Sequence, residues 1–523
     1  MKPYKLSDFL KFNLTGVCME NMLVERYAAE IDGVLSCLDR IVLTGTLTGV
    51  CYPAGMSSHL FNCDVKIFDY PDMMNGFREK LRENAEGIAA ASGLEIEFIR
   101  NIDAFRKEAK IKEIIAGRGD APGLVHVFSA MERCAAFEPW HNKKTHKTFL
   151  RNCPGKCLHY YFYFIDREFG VCYMRVPTWA PFRLQFYCNG HNWLASKLRE
   201  EGIGYTQIEN CLSHVDDWKR AQELSDAFPS DRLHRLCDRM AQRLCPVAGD
   251  FKTSWYWSIM QCEYSLDIAF YGKDRITPLY ECLSRAAICA VKAPDVCKFL
   301  GRSLDERYKG ELGSSFHTRV EGTCIKHHMG PASVKLYDKH GRVLRIETTC
   351  NDTTFFKHYR TVEHRDGTRE KKFAPMQKSI YSLGPLVETL SCVNRRYLKF
   401  ISELSDSSAG VDDVKKLSET VKVGGRGFGG FNVFAPDDLK LFQILSRGEN
   451  NIAGFSNGRI RDLAPSMNTG KVSRILRRLH LHGLIKRATN TYHYYLTEFG
   501  RRTVLTALKL RELVVIPCLA GTY

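Results

Sequence analysis

Two pairs of carboxylates in this sequence are spaced so that they could do chemistry. Glu263 and Asp267 are four residues apart within 205–300, a stretch that we predict to be mostly helical, so they would share one helix face. Asp338 and Glu347 belong to a predicted β-hairpin. Paired carboxylates can hold a divalent cation or act as acid and base. For the first pair, a solvated helix surface is the open alternative.

The hairpin geometry can be tested from spacing alone. Its two strands meet at His340-Gly341, and a turn centred there places Asp338, Arg345 and Glu347 on one face. Asp338 and Glu347 are then four rungs apart, roughly 13 Å at 3.3 Å per residue. Arg345 would lie between them, so a salt-bridge ladder is the alternative to a cation site.

The residues Lys335–Lys339 followed by Leu344–Glu347 resemble the YDK…RxE hairpin of rolling-circle plasmid replication initiators. The likeness covers about twenty residues. In that family, acidic residues help to bind a divalent cation, and a separate tyrosine cleaves one DNA strand. The resemblance therefore implies a metal-dependent DNA strand-cleaving enzyme that uses Mg²⁺ or Mn²⁺.

The same resemblance implies roles for individual residues. The implied catalytic residues are Asp338, Glu347 and Tyr359, the last of which lies close to Lys357, His358 and Arg360. Tyr337 and Tyr381 are less favoured nucleophiles. Asp338 needs partners from another element to hold a cation, and His327 and His328 are the nearest candidates in sequence.

A second informative segment, Leu439–Leu508, contains three predicted helices and a hairpin. The third helix spans Gly470–His482 and is capped by Asn468-Thr469. One side of this helix is an apolar stripe, and another side is basic. The stripe consists of Val472, Ile475, Leu476 and Leu479, and the basic side of Lys471, Arg474 and Arg478 with Arg477 nearby.

This order of elements resembles the winged helix-turn-helix of MarR-like regulators over about seventy residues. From Arg447 to Arg502 there are 11 Lys or Arg and 3 Asp or Glu, so the net charge is 11 − 3 = +8 in 56 residues. A basic helix that fits a major groove and a basic hairpin that meets phosphate are what duplex binding requires. The predicted DNA-binding residues are Asn468, Thr469, Lys471, Arg474, Arg477, Arg478, Lys486 and Arg487. The alternative is a winged helix that docks proteins and carries merely solvated charges.

These segments must be positioned by a larger body. We predict an α/β or α+β multi-domain body with a C-terminal winged helix-turn-helix domain. The predicted divisions are an α/β N-terminal region with an aromatic-rich sheet (1–250), a helical and β-hairpin region (251–404), a Gly/Ser-rich linker (405–434) and the winged helix-turn-helix domain (435–523).

An aromatic strand in the N-terminal region has two interpretations. Tyr160, Tyr161 and Tyr163 would be core residues, because such apolar runs are usually buried. Alternatively they would stack unpaired bases of single-stranded nucleic acid with help from Arg175 and Arg183. We favour the core.

The composition is that of a globular protein, with 523 residues, 44% of them hydrophobic, and a net charge of +16 that suits a polyanionic partner. No apolar run reaches 18 residues and the N-terminus lacks an apolar signal core, so we expect a cytoplasmic protein without a membrane partner. The 20 cysteines then serve as buried thiols, as expected of Cys37, Cys172, Cys188 and Cys289.

The whole chain also resembles an uncharacterised bacterial family with a C-terminal winged helix. The shared features are the Tyr-Phe-Tyr hairpin, the corner at Thr178–Phe182, Asn189-Gly190 and the hairpin around Tyr337. We predict a DNA-binding protein that acts in regulation or mobile-element maintenance. The strand-cleaving enzyme is the alternative, and an interaction or sensor protein, with a possible homodimer, is a third.

Overall fold

The computed structural model describes residues 22–100, 105–303, 308, 310–319, 322–404, 413, 415–447, 450, 454–488, 491–511 and 515–520. These residues divide into two compact units. Of the described residues, the first unit contains those up to Tyr280 together with those of Ala293–Lys399, and the second contains those of Glu281–Lys292 and those from Phe400 onwards. The chain is a mixed α/β protein.

The strands are distributed along the chain, and several follow one another without an intervening α-helix. They are β1 (Ile31–Leu47), β2 (Ile96–Ile99), β3 (Gly123–Asn142), β4 (Lys147–Asp166), β5 (Gly170–Pro177), β6 (Leu184–Cys188), β7 (Tyr205–Ile208), β8 (Cys211–Val215), β9 (Trp255–Phe270), β10 (Leu312–Arg319), β11 (Gly322–Met329), β12 (Ala332–Lys339), β13 (Val343–Cys350), β14 (Lys357–Glu363), β15 (Arg369–Pro375), β16 (Val421–Val423), β17 (Arg426–Phe428), β18 (Ile485–Arg487) and β19 (Tyr494–Leu496).

The helices are α1 (Met22–Arg26), α2 (Pro53–Asn62), α3 (Tyr70–Ala91), α4 (Lys107–Arg118), α5 (Gly190–Glu201), α6 (Trp218–Asp226), α7 (Ser230–Leu244), α8 (Lys273–Ala290), α9 (Ala293–Phe299), α10 (Leu383–Leu404), α11 (Pro436–Ser446), α12 (Asn457–Leu463), α13 (Thr469–Leu481), α14 (Glu498–Leu510) and α15 (Ile516–Leu519). Short 3₁₀ turns span Ile67–Asp69, Pro246–Phe251, Thr353–Phe355 and Ile380–Ser382. Within the described residues, no helix is both long enough and apolar enough to cross a lipid bilayer.

The first unit is organised around an 11-stranded sheet with the strand order β10-β11-β12-β13-β9-β1-β6-β5-β4-β3-β2. Among the described strands of this sheet, only the edge strand β2 pairs in parallel, with β3, and α4 lies between the two in sequence. The spacing of apolar residues and glycines predicts a strand over 94–100, a helix over 104–116 and a strand over 123–129, and β2, α4 and β3 confirm this order. The remaining pairings are antiparallel, and β9 and β1 lie in the middle of the sheet.

The prediction of a mostly helical stretch over 205–300 is wrong at its centre. Residues 255–270 form the central strand β9. Its apolar side chains recur at every second position, which is the period of a strand. They are Cys262, Tyr264, Leu266, Ile268 and Phe270, all at most 4% exposed. The sequence also predicts a helix over 370–400, but the helix begins only at Leu383, because β15 occupies Arg369–Pro375.

The second unit packs its helices and hairpins around one apolar core. Of the predicted linker 405–434, residues 405–412 and 414 lie outside the described residues. The described part from residue 415 onwards is folded, because β16 and β17 pair and Phe431 is only 4% exposed, 5.8 Å from the ring of Phe442. The ring of Phe431 thus anchors this glycine-rich segment to the core.

Candidate functional site

Three carboxylates meet in the middle of the large sheet, on three neighbouring strands. Asp39 lies on β1, Glu263 on β9 and Glu347 on β13, and one oxygen from each lies within 4.8 Å of the others. Among the described residues, this is the only group of three or more Asp, Glu, His or Cys side chains so close together. We refer to it as the carboxylate cluster.

Strand register explains why these side chains converge. Glu347 is directly opposite Ser265 of β9, and Glu263 is opposite Arg40 of β1. The register of β1 shifts between Leu38 and Arg40, so Asp39 is the extra residue of a β-bulge. Bulges redirect side chains. Here the bulge places the Asp39 carboxylate beside those of the two glutamates.

A fully buried arginine holds one side of the cluster. Nε and Nη2 of Arg345 each lie 2.6 Å from an oxygen of Asp267, which makes a bidentate ion pair. Its Nη2 also donates to the carbonyl oxygen of Asn210 at 2.6 Å, and its Nη1 lies 3.4 Å from Asp39. Arg345 therefore joins β13, β9 and β1 to the turn between β7 and β8.

His191 lies between the two aspartates at the start of α5. Its Nδ1 is 3.2 Å from Asp39 and its Nε2 is 3.4 Å from Asp267. The side chain of Asn189 caps the helix by accepting from the backbone N–H of His191 at 2.8 Å. A Cβ at Gly190 would overlap the carbonyl oxygen of Leu38, so only glycine lets this helix start so close to β1.

The other side of the cluster is held by a lysine and a tyrosine of β12. Lys335 donates to Glu347 at 2.6 Å and lies 3.7 Å from Glu263. The hydroxyl of Tyr337 donates to the other oxygen of Glu347 at 2.5 Å. Asn210 donates to both oxygens of Asp39, at 2.6 and 2.9 Å. Each buried carboxylate thus has hydrogen-bond donors within the protein.

The ionisation of these groups follows from their neighbours. Burial raises the pKa of Asp39, but the positive charge of Arg345 and a hydrogen bond from His191 outweigh burial and place the pKa well below its usual range. The pKa of Asp267 is lowered in the same way, because the attraction of Arg345 outweighs burial. By contrast, burial and the negative charge of Glu347 raise the pKa of Glu263. Burial and the neighbouring charge therefore disfavour the anionic form of Glu263.

Mg²⁺ and Mn²⁺ prefer oxygen ligands, and three carboxylates offer them. The donor set of Asp39, Glu263 and Glu347 therefore fits the expected cation. A bound cation would compete with the ammonium group of Lys335 for Glu347. The same oxygens also complete a buried ion-pair network without a cation.

The structure corrects the predicted hairpin register by one residue. Lys339 pairs with Val343 and Tyr337 pairs with Arg345, because the turn includes Arg342 as well as His340 and Gly341. A shift of one residue moves every side chain of a strand to the other face. The prediction that Asp338 shares a face with Arg345 and Glu347 is therefore wrong. Instead, Asp338 accepts from the backbone N–H of Gly341 at 3.0 Å within the turn.

The other residues predicted around Asp338 do not assemble with it in the described residues. His327 is fully buried between the hydroxyls of Ser314 and Tyr397, at 2.7 and 3.1 Å. Burial lowers the pKa of His327 to about 4. His328 is the next residue of β11, so its side chain projects from the opposite face of the strand. Tyr359 lies on the separate two-stranded sheet of β14 and β15.

Sequence reasoning missed Asp39, His191 and Asn210, and placed Glu263 and Asp267 on a helix. A signal was present in β9, where Gln261, Glu263, Ser265 and Asp267 alternate with apolar residues. That alternation is typical of a strand and would have aligned these polar residues on one face. Tyr160, Tyr161 and Tyr163 are at most 5% exposed, which confirms the favoured interpretation as core.

The predicted DNA-binding residues lie on or beside α13 and on β18. Asn468 caps α13 by accepting from the backbone N–H of Lys471 at 2.8 Å. The residues of this set that are exposed are Asn468, Thr469, Lys471, Arg474, Arg477, Lys486 and Arg487. Lys471 has a weak ion pair with Asp437 at 3.6 Å, and the guanidinium of Arg477 lies 5.4 Å from the ring of Phe428.

Arg478 is tied into the second unit. Its guanidinium lies 2.9 and 3.1 Å from the oxygens of Asp438, and it donates to the carbonyl oxygens of Gly429 and Gly430. It also lies 3.8 Å from the centre of the Phe431 ring. The glycine-rich segment therefore covers the end of α13 at which Arg478 lies. These contacts assign Arg478 a role in packing.

We predict that Arg345→Met lowers the midpoint of urea denaturation strongly, by a stability loss of about 3–5 kcal/mol, because Asp267 and Asp39 would be left buried without their cation. Arg342→Met is the matched control from the same hairpin, since Arg342 is exposed and its guanidinium donates to the carbonyl oxygen of Tyr271. Equal midpoints for the two variants would contradict a central role for Arg345.

Glu263→Gln should change stability in a pH-dependent way. A carboxyl group whose pKa is raised by folding holds its proton more tightly in the folded protein, so its ionisation costs stability as pH rises above the unfolded value, about 4.3. The variant should therefore melt at a higher temperature than the parent at pH 8, and this difference should disappear near pH 4. Glu95→Gln, at an exposed position, should show no such difference. A lower melting temperature for Glu263→Gln at pH 8 would refute this account.

The chain matches no protein-family model, no curated protein and no solved structure. Its function therefore has to be inferred from the side chains and their positions.

Proposed function

We propose that this protein binds duplex DNA through α13 and the hairpin β18–β19, which together with α11 and α12 act as a winged helix-turn-helix domain. Such a domain serves regulators and proteins that maintain mobile elements alike. The observation that supports the proposal is that α13 has one buried apolar side and one exposed basic side. Val472, Leu476 and Leu479 are at most 4% exposed. The exposed side carries Lys471, Arg474 and Arg477.

The contacts around α13 support its use as a rigid reading element. The side-chain amide of Asn457 on α12 donates to the carbonyl oxygen of Thr469 at 3.1 Å and to the hydroxyl of Ser473 at 3.0 Å. These bonds tie α12 to the first turn of α13. Recognition helices contact base edges with their N-terminal residues, so a fixed first turn favours groove binding.

The hairpin offers a second basic contact beside the helix. Phe455 and Tyr494 exchange backbone hydrogen bonds of 2.9 and 2.8 Å, which attach β19 to the segment before α12. Lys486 and Arg487 of β18 are exposed, and so is Tyr492, at 77%. With the net charge of 11 − 3 = +8 over residues 447–502, this arrangement favours a phosphate backbone over a neutral partner.

Lys471→Ala combined with Arg474→Ala should weaken binding to a labelled 30-base-pair duplex by roughly tenfold or more at fixed salt, because two phosphate or base contacts are lost. The slope of log affinity against log salt should become shallower by about 2. Fluorescence anisotropy measures both quantities.

Lys219→Ala provides the matched control, because Lys219 is an exposed lysine of α6 in the first unit, outside α13 and the hairpin. It should leave affinity nearly unchanged. If the double variant binds duplex as tightly as the parent, the assignment of α13 is refuted. Circular dichroism should be the same for all three proteins, since the altered side chains are exposed.

The carboxylate cluster favours a second candidate function, cation-dependent cleavage of a DNA strand. Asp39, Glu263 and Glu347 would hold Mg²⁺ or Mn²⁺, and the cation would polarise a phosphodiester. Burial and the charge of Glu347 raise the pKa of Tyr337 far above its usual value, which opposes its use as a nucleophile. Tyr359 remains the nucleophile proposed from the sequence.

If the cluster binds a cation, millimolar Mn²⁺ should raise the melting temperature of the parent protein, because binding to the folded state alone stabilises it. Glu263→Gln and Glu347→Gln should abolish this rise, and Glu95→Gln should retain it. Nicking of single-stranded DNA in Mn²⁺ should be lost in the same two variants. A melting temperature that is independent of Mn²⁺ and Mg²⁺ would leave the cluster as an ion-pair network alone.

A further inference from the structure

The two-stranded sheet of β14 and β15 exposes an aromatic pair. Tyr359 is directly opposite Phe373, and the centres of their rings are 5.5 Å apart. Tyr359 is 77% exposed and Phe373 is 58% exposed. Two large rings that share one face of a ribbon and remain open to solvent form an apolar surface of the kind that binds a partner.

Positive charge lies on the same face, on both sides of the rings. Side chains two positions apart on a strand share a face, so Lys357 and Lys371 flank the pair, at about 7 Å along the strands. Both lysines are exposed, and neither has an acidic partner within 4 Å among the described residues. On this face, the two rings therefore lie between two lysines.

The acidic residues of the ribbon are largely matched within it. Residues 357–375 contain 6 Lys or Arg and 3 Asp or Glu, a net charge of 6 − 3 = +3. Arg369 pairs with Glu363 at 3.3 Å and Lys372 pairs with Glu370 at 3.1 Å. These pairs leave the lysines beside the rings to attract a polyanion.

We propose that this face binds single-stranded DNA, with unpaired bases stacking on Tyr359 and Phe373 and the backbone phosphates meeting Lys357 and Lys371. Exposed aromatic rings between cations are the means by which proteins hold unpaired nucleotides, since every base has a face that can stack. The choice of DNA rests on the proposed duplex-binding function. A second copy of this chain is a poorer occupant, because its net charge of +16 would repel the ribbon.

The test uses the full chain and a fluorescein-labelled 20-nucleotide thymidine oligomer at fixed salt. Tyr359→Ala combined with Phe373→Ala should raise the Kd by at least about tenfold, because two stacking contacts are lost. Tyr359→Phe keeps the ring and should bind as the parent does. Phe61→Ala is the matched control, since Phe61 is an 84% exposed aromatic residue on α2.

The same proteins are measured with the 30-base-pair duplex. The ring variants should bind duplex normally. Lys471→Ala with Arg474→Ala should lose duplex binding and still bind the thymidine oligomer. The two proposals can therefore be refuted independently. An unchanged Kd for the double ring variant overturns the inference. Tighter binding of a uridine RNA oligomer than of thymidine DNA overturns the choice of DNA. A parent protein that is dimeric in light scattering, with ring variants that become monomeric and keep their affinity, would assign the face to a second copy instead.

Discussion

The buried ion pair between Arg345 and Asp267 is the contact on which the centre of the first unit depends. Both oxygens of Asp267 accept from one guanidinium at 2.6 Å, and both residues are at most 1% exposed. A charge in such a place is tolerated only when it is paired and hydrogen-bonded. Arg345 meets this condition, because it also donates to the carbonyl oxygen of Asn210 and lies 3.4 Å from Asp39, and these contacts connect β13 to β1 and to the turn between β7 and β8. The sheet is consequently held together at its centre by polar contacts as well as by apolar packing.

That network determines what the carboxylate cluster can do. Arg345 and His191 already stabilise Asp39 as an anion, so a cation next to it adds little, and the oxygens of Glu347 already accept from Lys335 and Tyr337. Glu263 is different, because its ionisation is opposed by Glu347. A divalent cation would relieve that repulsion. If Lys335 keeps its contact with Glu347, the cluster is a structural ion-pair network. If a cation displaces Lys335, the same side chains form a catalytic site.

The proposed nucleic-acid surfaces differ from the carboxylate cluster, because their charged groups are exposed to solvent. The basic side of α13 and the face of β14–β15 hold their charges in solvent, where they cost little to maintain and are free to meet phosphate. Arg478 shows how this can change within one helix. It lies close in sequence to Arg474 and Arg477, but Asp438 and the carbonyl groups of Gly429 and Gly430 bind it inside the second unit. Arginine thus provides exposed charge on one side of the helix and a packing contact on another.

The local sequence pattern alone predicts several elements of this chain correctly. The apolar stripe of α13, its Asn468 cap, the strand–helix–strand order of β2, α4 and β3, and the buried tyrosines of β4 all follow from spacing, because each depends on neighbours in the chain. The hairpin register does not follow from spacing, since a turn of three residues in place of two moves Asp338 to the other face. The carboxylate cluster also lay beyond sequence reasoning. It brings Asp39 together with Glu263 and Glu347, which are more than 200 residues further along the chain, and only the pairing of β1, β9 and β13 makes them neighbours.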